Sequence, residues 1–526
     1  MSIFSQKIYR FSCGFIKIFS LVLSILLFFF GFVSTCYSLD MDSQLVLTRW
    51  DNPLWNLAST ILVLSAGALV ILFLEKLKAR FSKLPDPLNI LTVIVLLWIL
   101  TTGAVLILFS KTVPAADAMS VYDAAEALAR GETGVIRPVD SYLSYYPQQV
   151  GLMAFFELLH RIWNLFPVHV PAYHFIKCLY VFLAWMIVLF QKGIVRLLWN
   201  DRRAEYTYLL LAGANLPFLM YTSFVYGEIP SFAAASAGLY FLMRLLTQKL
   251  PNPRSRRLTV FGALFFLPLS VMLRKNNLIL IIAVLIVVLL QGVKERKKEL
   301  ILFALICGLC GFCILPLVQK YYELRAGNTL NSSVPAISYL AMGMQESSRA
   351  DGWYNGFNFN TYRDTGMDID ATTQISLQAI QARLTYFKEN PEYAARFYLN
   401  KFLSQWADGT YASRQATLAT FGGRQPFFES LYSGEYSLLF IEYSNIYQNV
   451  LYLGVLLFCI SVCSKSDDSK LPVYLGLIGV VGGFLFHVFW EANSRYIFLY
   501  SLLLMPYCAR GLSLLHRRLS NISSRT

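Results

Sequence analysis

The run LNILTVIVLLWILTTGAVLILFS, residues 88–110, contains no charged residue. Its length is close to the ~20 residues that a helix needs to cross a bilayer. It is one of many such runs, because 56% of the 526 residues are hydrophobic and only 14% are charged. A water-soluble globular protein carries about 25% charged residues. The run and the composition together predict a protein whose solvent is lipid.

Apolar runs of similar length recur on both sides of residues 88–110. They predict about twelve transmembrane helices, and therefore an all-α polytopic membrane protein. The first run is longer than about twenty apolar residues and lacks a small-residue cleavage site, so we expect it to be retained and not removed as a signal peptide. The predicted spans are 15–37, 54–74, 88–110, 172–192, 205–223, 226–247, 258–273, 276–292, 299–318, 440–463, 471–489 and 494–513.

The formal charge of +14 is distributed over alternate loops. Clusters of Lys and Arg follow the even-numbered spans, which is the positive-inside pattern of membrane proteins. We therefore expect both termini in the cytoplasm, the long segments 111–171 and 319–439 on the exoplasmic side, and no nucleic-acid partner. The clusters include Lys76, Lys78 and Arg80; Arg196, Arg202 and Arg203; Arg254, Arg256 and Arg257; Lys294, Arg296, Lys297 and Lys298; Lys465 and Lys470; and Arg517 and Arg518.

These spans and loops divide the chain into four predicted units. Residues 1–87 form two transmembrane helices, and residues 88–318 form a membrane core that includes the outer loop 111–171. Residues 319–439 are too long for a bare connection, so they are expected to form a mostly helical exoplasmic domain. Residues 440–526 contain the last transmembrane helices and a cytoplasmic tail.

The nine cysteines lie in or beside the apolar runs, and neither long outer segment contains one. No disulfide framework is therefore expected. Cys307, Cys310 and Cys313 have a metal-like spacing, but they lie on one predicted membrane helix without His or carboxylate partners. We interpret them as small packing residues, and we predict no protein metal centre.

The first outer loop opens with PAADAMSVYDAAEALARG, residues 114–131, in which Asp117 lies only a few residues beyond the membrane. Asp117 has two interpretations: a capping carboxylate at the start of an amphipathic helix, or a functional carboxylate at the membrane surface. The loop continues with SYLSYYPQQVGLMAFFELLHRIWNLFP, residues 141–167. Glu157, His160 and Arg161 near its middle indicate a helix along the interface and not a further span.

Charged residues also occur where other predicted spans end on the outer side. Such groups are costly next to hydrocarbon unless they face a cavity or pair with one another. Because all of these span ends lie at the level of Asp117, the topology predicts that they converge. Two carboxylates and three cations are suited to handling a phosphate and a hydroxyl. The residues are Glu228, Arg274, Lys275, Glu491 and Arg495.

The second outer segment contains RADGWYNGFNFNTYRD, residues 349–364. Aromatic faces beside amide and charged groups are suited to sugar recognition, because a ring stacks on C–H faces while polar groups bind hydroxyls. The same rings could instead form the core of the domain. Trp353 and Asn355 in the turn 353–360 are the residues that we assign to a candidate site.

The order of these motifs resembles the C superfamily of polyprenyl-phosphate-sugar glycosyltransferases, which includes protein O-mannosyltransferases and lipid A aminoarabinose transferases. The resemblance depends on Asp117 in residues 114–131, on YYPQQVG at 145–151 and on EANSRY at 491–496. Two features depart from the family. Ala118 follows Asp117 where those enzymes commonly have Glu, and two spans precede the helix that leads to Asp117.

The resemblance implies inverting transfer of a sugar from a polyprenyl-phosphate donor to a glycan, lipid or protein acceptor on the exoplasmic face. Asp117 would be the catalytic base, and Arg495 with Arg274 or Lys275 would bind the donor phosphate. Some relatives use a divalent cation, so Mg²⁺ or Mn²⁺ is part of the expectation, without an assigned ligand set. The implied substrate-binding residues are Glu228, Tyr145, Tyr146, Gln148, Glu491, Trp353 and Asn355.

Other functions fit part of the pattern. A polysaccharide polymerase or ligase would share the outer loops and the arginines without depending on Asp117. A secondary transporter also commonly has twelve helices, but its polar groups lie near the bilayer midplane. A non-catalytic partner in surface-polymer assembly is the remaining alternative. The expected location is a bacterial plasma membrane, with membrane lipid as the surroundings.

Overall fold

A computed structural model describes residues 3–81, 85–167, 170–330, 333–464 and 471–523. It is almost entirely helical, so the predicted fold class is confirmed. The helices are α1 Ile3–Val33, α2 Pro53–Arg80, α3 Pro87–Val105, α4 Asp117–Ala129, α5 Tyr142–Tyr145, α6 Val150–Trp163, α7 Ala172–Trp199, α8 Arg202–Ala214, α9 Leu216–Tyr221, α10 Glu228–Thr247, α11 Pro253–Leu273, α12 Leu278–Glu295, α13 Lys298–Ala326, α14 Ala336–Met342, α15 Phe357–Asp364, α16 Ile369–Glu389, α17 Pro391–Trp406, α18 Ser413–Ala416, α19 Pro426–Ser433, α20 Glu435–Cys463, α21 Leu475–Phe489 and α22 Ser494–Ser523. The strands are β1 Ser34–Tyr37 and β2 Leu47–Trp50.

Several long helices begin with the same N-terminal capping arrangement. Asn52, Asp86 and Asn252 each precede a proline at the first helical position, and each side chain accepts a hydrogen bond from a backbone N–H of the first turn. Proline there loses no hydrogen bond, because that N–H has no partner within the helix. These caps complete backbone hydrogen bonding at the ends of helices whose interiors lie in lipid.

Within the described residues, eleven helical segments are long and apolar enough to cross a membrane. The fifth predicted span, 205–223, is not a continuous helix, because Asn215 and Pro217 separate α8 from α9. It nevertheless runs the length of α22. Next to its start, Asp201 accepts a hydrogen bond from Ser513 (2.7 Å) near one end of α22, and Tyr221 stacks on Phe498 (4.1 Å between ring centroids) near the other end. The segment is therefore a broken helix that makes a twelfth crossing.

The two ends of the bundle differ in character. At the end that we call the basic end, Arg203 pairs with Glu75 (2.7 Å) and Arg196 with Glu205 (2.8 Å). The described residues of the segments 111–171 and 319–439 lie at the opposite end, which we call the long-loop end. Lys465 and Lys470 of the predicted basic clusters lie outside the described residues.

The N-terminal unit differs from the prediction of two helices alone. Helix α1 ends at Val33, and residues 34–37 form an antiparallel strand pair with β2, so the predicted end of the first span at residue 37 is wrong. This hairpin lies at the long-loop end. There the N–H of Cys36 donates to the carbonyl of Ala407 (2.8 Å), and that of Val46 donates to the carbonyl of Arg349 (2.9 Å).

The segment 319–439 carries helices α14 to α19 and packs on the bundle. Its buried Arg414 donates to the carbonyls of Ser38 (2.6 Å) and Tyr432 (3.0 Å), which ties the hairpin to this segment. Helix α6 is too short to span. Its buried Glu157 pairs with Arg325 (2.6 Å) at the end of α13, as expected for a helix held against the bundle at the long-loop end.

Candidate functional site

Asp117 is the first residue of α4, and its side chain is exposed at the long-loop end. The residue at the capping position is Ala116, whose side chain makes no capping hydrogen bond and whose φ is +49°. A positive φ is strained for a residue with a Cβ, and such strain clusters at functional sites. Within the described residues, the Asp117 carboxylate accepts no hydrogen bond, so it is free to bind a substrate. The capping interpretation of Asp117 therefore has no support in the local geometry.

Three separate parts of the chain meet around Asp117. Its carboxylate lies within electrostatic reach of Glu491 and Arg495, which flank the start of α22. It also interacts with Tyr146, from the first outer loop, and with Tyr354, from the second outer segment. The predicted convergence of these span ends and loops is therefore present in the fold.

Two guanidinium groups share one buried carboxylate beside Asp117. Glu228 begins α10, and its side chain is 1% exposed. Its Oε1 is in ion-pair contact with Arg274, without the in-line geometry of a hydrogen bond, and lies 3.8 Å from Nε of Arg495. Two cations against one anion leave a net positive charge. Glu228 is therefore a buried counter-ion of the arginines, and it is not exposed to contact an acceptor.

Glu491 lies in the short connection between α21 and α22 and is 8% exposed. The hydroxyl of Tyr496 donates to its Oε1 (3.1 Å). Burial, together with the negative charge of Asp117, raises the pKa of the Glu491 carboxyl to about 7. The positive charges of Arg495 and Arg349 lower this pKa and partly offset the rise. Glu491 is therefore able to hold or release a proton near neutral pH.

The YYPQQVG motif contributes a different glutamine from the predicted one. Gln149 Nε2 donates to the hydroxyl of Tyr226 (2.5 Å), whereas Gln148 makes no side-chain hydrogen bond among the described residues. Tyr226 is itself fixed, because the hydroxyl of Tyr180 donates to its carbonyl (2.6 Å). Sequence reasoning missed Tyr226, although it lies two residues before Glu228 in the same outer turn.

The two predicted tyrosines of that motif have different surroundings. Tyr145 packs against Phe359 (4.8 Å between ring centroids) of α15, so it joins the two outer segments. Tyr146 stacks near Tyr142 (5.0 Å) and interacts with Asp117 and Glu491. Only Tyr146 of the pair therefore belongs to the cluster around Asp117.

The turn 353–360 also contributes a residue other than those predicted. Trp353 is 4% exposed and donates from Nε1 to Ser404 (2.8 Å), so its ring is part of the core. Asn355 is exposed, but its side chain holds the turn by donating to Gln345 (3.0 Å). Tyr354 between them is half-buried and interacts with Asp117 and Glu491. Tyr354 therefore belongs to the charged cluster around Asp117.

Two lysines complete the inventory. Lys275 is exposed and forms no ion pair among the described residues, so it is not joined to Glu228 as Arg274 is. Lys401 of α17 was not predicted. It is buried, its Nζ donates to the carbonyl of Gly343, and burial lowers its pKa to about 7 although Glu491 opposes the shift. No sequence pattern identifies Lys401 as a site residue, because it becomes buried only when the chain folds and residues 343–352 pack against it.

A narrow apolar crevice enters the bundle beside the arginines. Tyr496 forms part of its wall, and Arg274 lies 5.9 Å from the centre of the Tyr496 ring. The crevice has a volume of about 20 Å³, which is room for about one water molecule. Its wall consists of Phe232, Asn276, Asn277, Ile279, Leu280, Gly479, Tyr496, Leu499, Tyr500 and Leu503.

A divalent cation would need ligands beyond those that converge here. Asp117 and Glu491 supply two carboxylates, and Glu228 is already bound to Arg274. In the part of the chain that the structure describes, no three His, Cys, Asp or Glu residues are grouped as metal ligands. The described residues therefore do not form a ligand set for Mg²⁺ or Mn²⁺.

No protein-family model matches the chain, and no curated protein matches it. The fold defines the class as a polytopic all-α membrane protein with a charged cluster where the loops of the long-loop end meet the bundle. The resemblance to polyprenyl-phosphate-sugar transferases remains a prediction that depends on the residues themselves.

Proposed function

We propose that this protein is an inverting glycosyltransferase that moves a sugar from a polyprenyl-phosphate donor to an acceptor hydroxyl at the exoplasmic membrane surface. The observation that carries the proposal is the placement of Arg274 and Arg495 around a single carboxylate, Glu228, beside the free carboxylate of Asp117. A net positive charge next to a base is the arrangement that a phosphate leaving group and an attacking hydroxyl require.

In the proposed reaction, Asp117 accepts the proton of the acceptor hydroxyl as its oxygen attacks the anomeric carbon of the donor sugar. The bond between that carbon and the phosphate oxygen breaks, and its electron pair leaves with the polyprenyl phosphate. Arg495 and Arg274 stabilise the negative charge that grows on this phosphate. Attack from the face opposite the leaving group inverts the anomeric configuration.

The crevice beside Tyr496 has a volume of about 20 Å³, which is room for about one water molecule and not for an isoprene unit. The polyprenyl chain of the donor would therefore lie in the surrounding lipid. Its phosphate would lie at the arginines, which would bring the sugar toward Asp117.

The remaining cluster residues would orient substrates. Tyr146, Tyr226 and Tyr354 present hydroxyls and ring faces near Asp117, which suits binding of a sugar. Glu491, with a pKa of about 7, would bind a sugar or acceptor hydroxyl as donor or acceptor. Whether the acceptor is a glycan, a lipid or a protein is left to the assay.

The test is transfer of radiolabelled sugar from a panel of polyprenyl-phosphate sugars and polyprenyl-diphosphate oligosaccharides by membranes that contain the wild-type protein or Asp117→Asn. Asp123→Asn is the matched control, because Asp123 is exposed on the same helix α4. We expect about 10²- to 10⁴-fold loss for Asp117→Asn and no loss for the control. Full activity of Asp117→Asn would overturn the role of Asp117. Transfer only from diphosphate-linked oligosaccharides would favour the polymerase or ligase.

The proposed sidedness has its own test. Cysteines introduced at Asp364 in α15 and at Lys78 in α2 lie at opposite ends of the bundle. In intact bacterial cells, a membrane-impermeant maleimide should label the cysteine at position 364 and not the one at position 78. The exposed native Cys178 is replaced by Ser in both variants. The reverse labelling would place the candidate site in the cytoplasm.

A further inference from the structure

Helix α20 carries a polar face inside the bundle, away from the candidate site. Ser444, Asn445, Gln448 and Asn449 are each 0% exposed, although α20 is one of the membrane-crossing helices. Their spacing of one, three and four residues places them on one side of the helix. Polar side chains at such depth are costly, and they mark functional sites when they face a cavity or a ligand.

Other elements bring further polar groups to this face. Asn445 Nδ2 donates to Oδ2 of Asp51 (3.1 Å), next to strand β2, and Gln448 Nε2 donates to the hydroxyl of Tyr411 (3.3 Å). Gly31 of α1 has no side chain that would fill the space beside Asn449. Oδ1 of Asn449 lies 3.6 Å from the point where a Cβ on Gly31 would be. The face is thus enclosed by α1, the hairpin and the segment after α17.

Most of the polar atoms on this face have no hydrogen-bond partner in the part of the chain that the structure describes. They are Ser444 Oγ, Asn445 Oδ1, Gln448 Oε1 and both side-chain polar atoms of Asn449. Buried polar groups in native proteins are nearly always satisfied, so a bound species is expected here. Four of these five atoms are oxygens, which are satisfied by a species that donates hydrogen bonds or accepts electron pairs, as a metal cation does.

The fixed charges around the face also favour a cation. Asp51 is neutralised by Arg49 (2.9 Å). Asp408 is fully buried and receives hydrogen bonds from Ser494 Oγ (2.6 Å) and Thr410 Oγ1 (2.6 Å), but no cation lies within ion-pair distance of it among the described residues. Arg414 interacts with Asp408 only from a larger distance. The surroundings of the amide face are therefore negative or neutral.

We propose that this face, formed by Ser444, Asn445, Gln448 and Asn449, binds a monovalent metal cation of the size of Na⁺ or K⁺. Neutral amide and hydroxyl oxygens replace the hydration shell of such an ion inside a membrane protein. A divalent ion would require carboxylate ligands, and the oxygens of Asp51 and Asp408 already accept hydrogen bonds. The bound ion joins α20 to the hairpin and to the segment after α17. This inference is independent of the proposed glycosyl transfer.

The test is the melting temperature of the detergent-solubilised protein in NaCl, KCl or N-methyl-D-glucamine chloride at equal ionic strength. Binding to the folded state raises the melting temperature in a saturable way with ion concentration. We expect such a rise with Na⁺ or K⁺ and none with N-methyl-D-glucamine. Identical melting temperatures in all three salts would mean that the face holds only water, and would overturn the proposal.

Substitutions at Asn449 test whether the cation binds at this face. Asn449→Leu should abolish the dependence on Na⁺ or K⁺, and Asn449→Asp should shift saturation to at least tenfold lower ion concentration. The matched control is Gln191→Leu, because Gln191 is a buried amide elsewhere in the bundle, bonded to Ser236 (3.1 Å). The control should keep the full dependence. A cation effect that is unchanged in both Asn449 variants would place the ion at another site and overturn the assignment.

Discussion

The carboxylate of Glu228 lies 3.8 Å from Nε of Arg495 and is in ion-pair contact with Arg274, although Glu228 and Arg495 belong to α10 and α22 and Arg274 directly follows α11. Glu228 thus fixes both guanidinium groups and neutralises only one charge. Buried ions kept together in this way are poor sources of stability, because desolvation offsets their attraction. Their arrangement supports the proposed binding of the donor phosphate.

Arg495→Gln should therefore lower the rate of sugar transfer by about 10²- to 10³-fold, the usual effect of removing one preorganised donor to a developing charge. Arg495→Lys should lose less, since it keeps the charge but not the planar fork. The control is Arg363→Gln, because Arg363 is exposed and pairs only with its neighbour Asp364. The transfer assay measures all three variants, and full activity of Arg495→Gln would contradict a role at the phosphate.

The raised pKa of Glu491 makes the stability of the protein fall as the pH rises. Its pKa is about 7 in the folded protein and about 4.5 when exposed, so the folded state binds more protons between these values. Stability from this group is therefore present below pH 4.5 and declines as the pH rises to 7, by at most about 3 kcal/mol. Charged or titratable neighbours that face it are Asp117, Arg349, Lys401, Arg495, His487, Tyr146, Tyr339, Tyr354 and Tyr496.

Glu491→Gln removes this titration, so its melting temperature relative to the wild type should increase between pH 5 and pH 7. Melting curves of the two proteins at half-unit pH steps measure the difference. The titration of Lys401 makes the stability rise with pH above pH 7. Its lowered pKa means that the folded state binds fewer protons than the unfolded state there. The comparison is therefore confined to pH 5–7. A constant difference across that range would contradict the raised pKa of Glu491.

Ala116 tests whether the backbone before Asp117 is strained. Its φ of +49° is disfavoured for alanine and accessible to glycine. Ala116→Gly should stabilise the protein by about 1 kcal/mol, as relief of a strained residue outweighs the greater freedom of glycine in the unfolded chain. Ala115→Gly is the control, since its φ is not positive and glycine there should only destabilise. Thermal melting measures both variants, and destabilisation by Ala116→Gly would contradict the strain.

Hydropathy predicted the membrane helices well because lipid imposes a minimum length and an apolar surface on each crossing. It could not show that the fifth span is broken, because Asn215 and Pro217 lie within an otherwise apolar run. The strand 34–37 was assigned to the first span for the same reason. Its residues continue the apolar run, and only pairing with residues 47–50 reveals the hairpin.

Sidedness predicted the cluster of Asp117, Glu228, Arg274, Glu491 and Arg495, since groups at the same span ends lie at the same level. Sidedness could not determine which of two neighbouring residues faces the cluster. Tyr354 faces the cluster whereas Trp353 is buried, and Gln149 bonds to Tyr226 whereas Gln148 does not. Adjacent side chains point in different directions, and tertiary packing alone decides which of them faces a site.

Trp353 offers a test of how the outer segment supports the site. It forms a parallel bridge with Ala492, next to Glu491, and the N–H of Ala492 donates to the carbonyl of Gly352 (2.8 Å). Trp353→Ala should destabilise the protein by about 3–5 kcal/mol and lower transfer more than tenfold, because the turn that carries Glu491 loses its support. Trp353→Phe keeps most of the packing and should retain activity, with about 1 kcal/mol lost from the missing hydrogen bond to Ser404. The control is Phe421→Ala, because that ring is 81% exposed and its removal should change neither quantity. Transfer by Trp353→Ala at the wild-type rate would show that the turn 491–493 holds its shape without the outer segment.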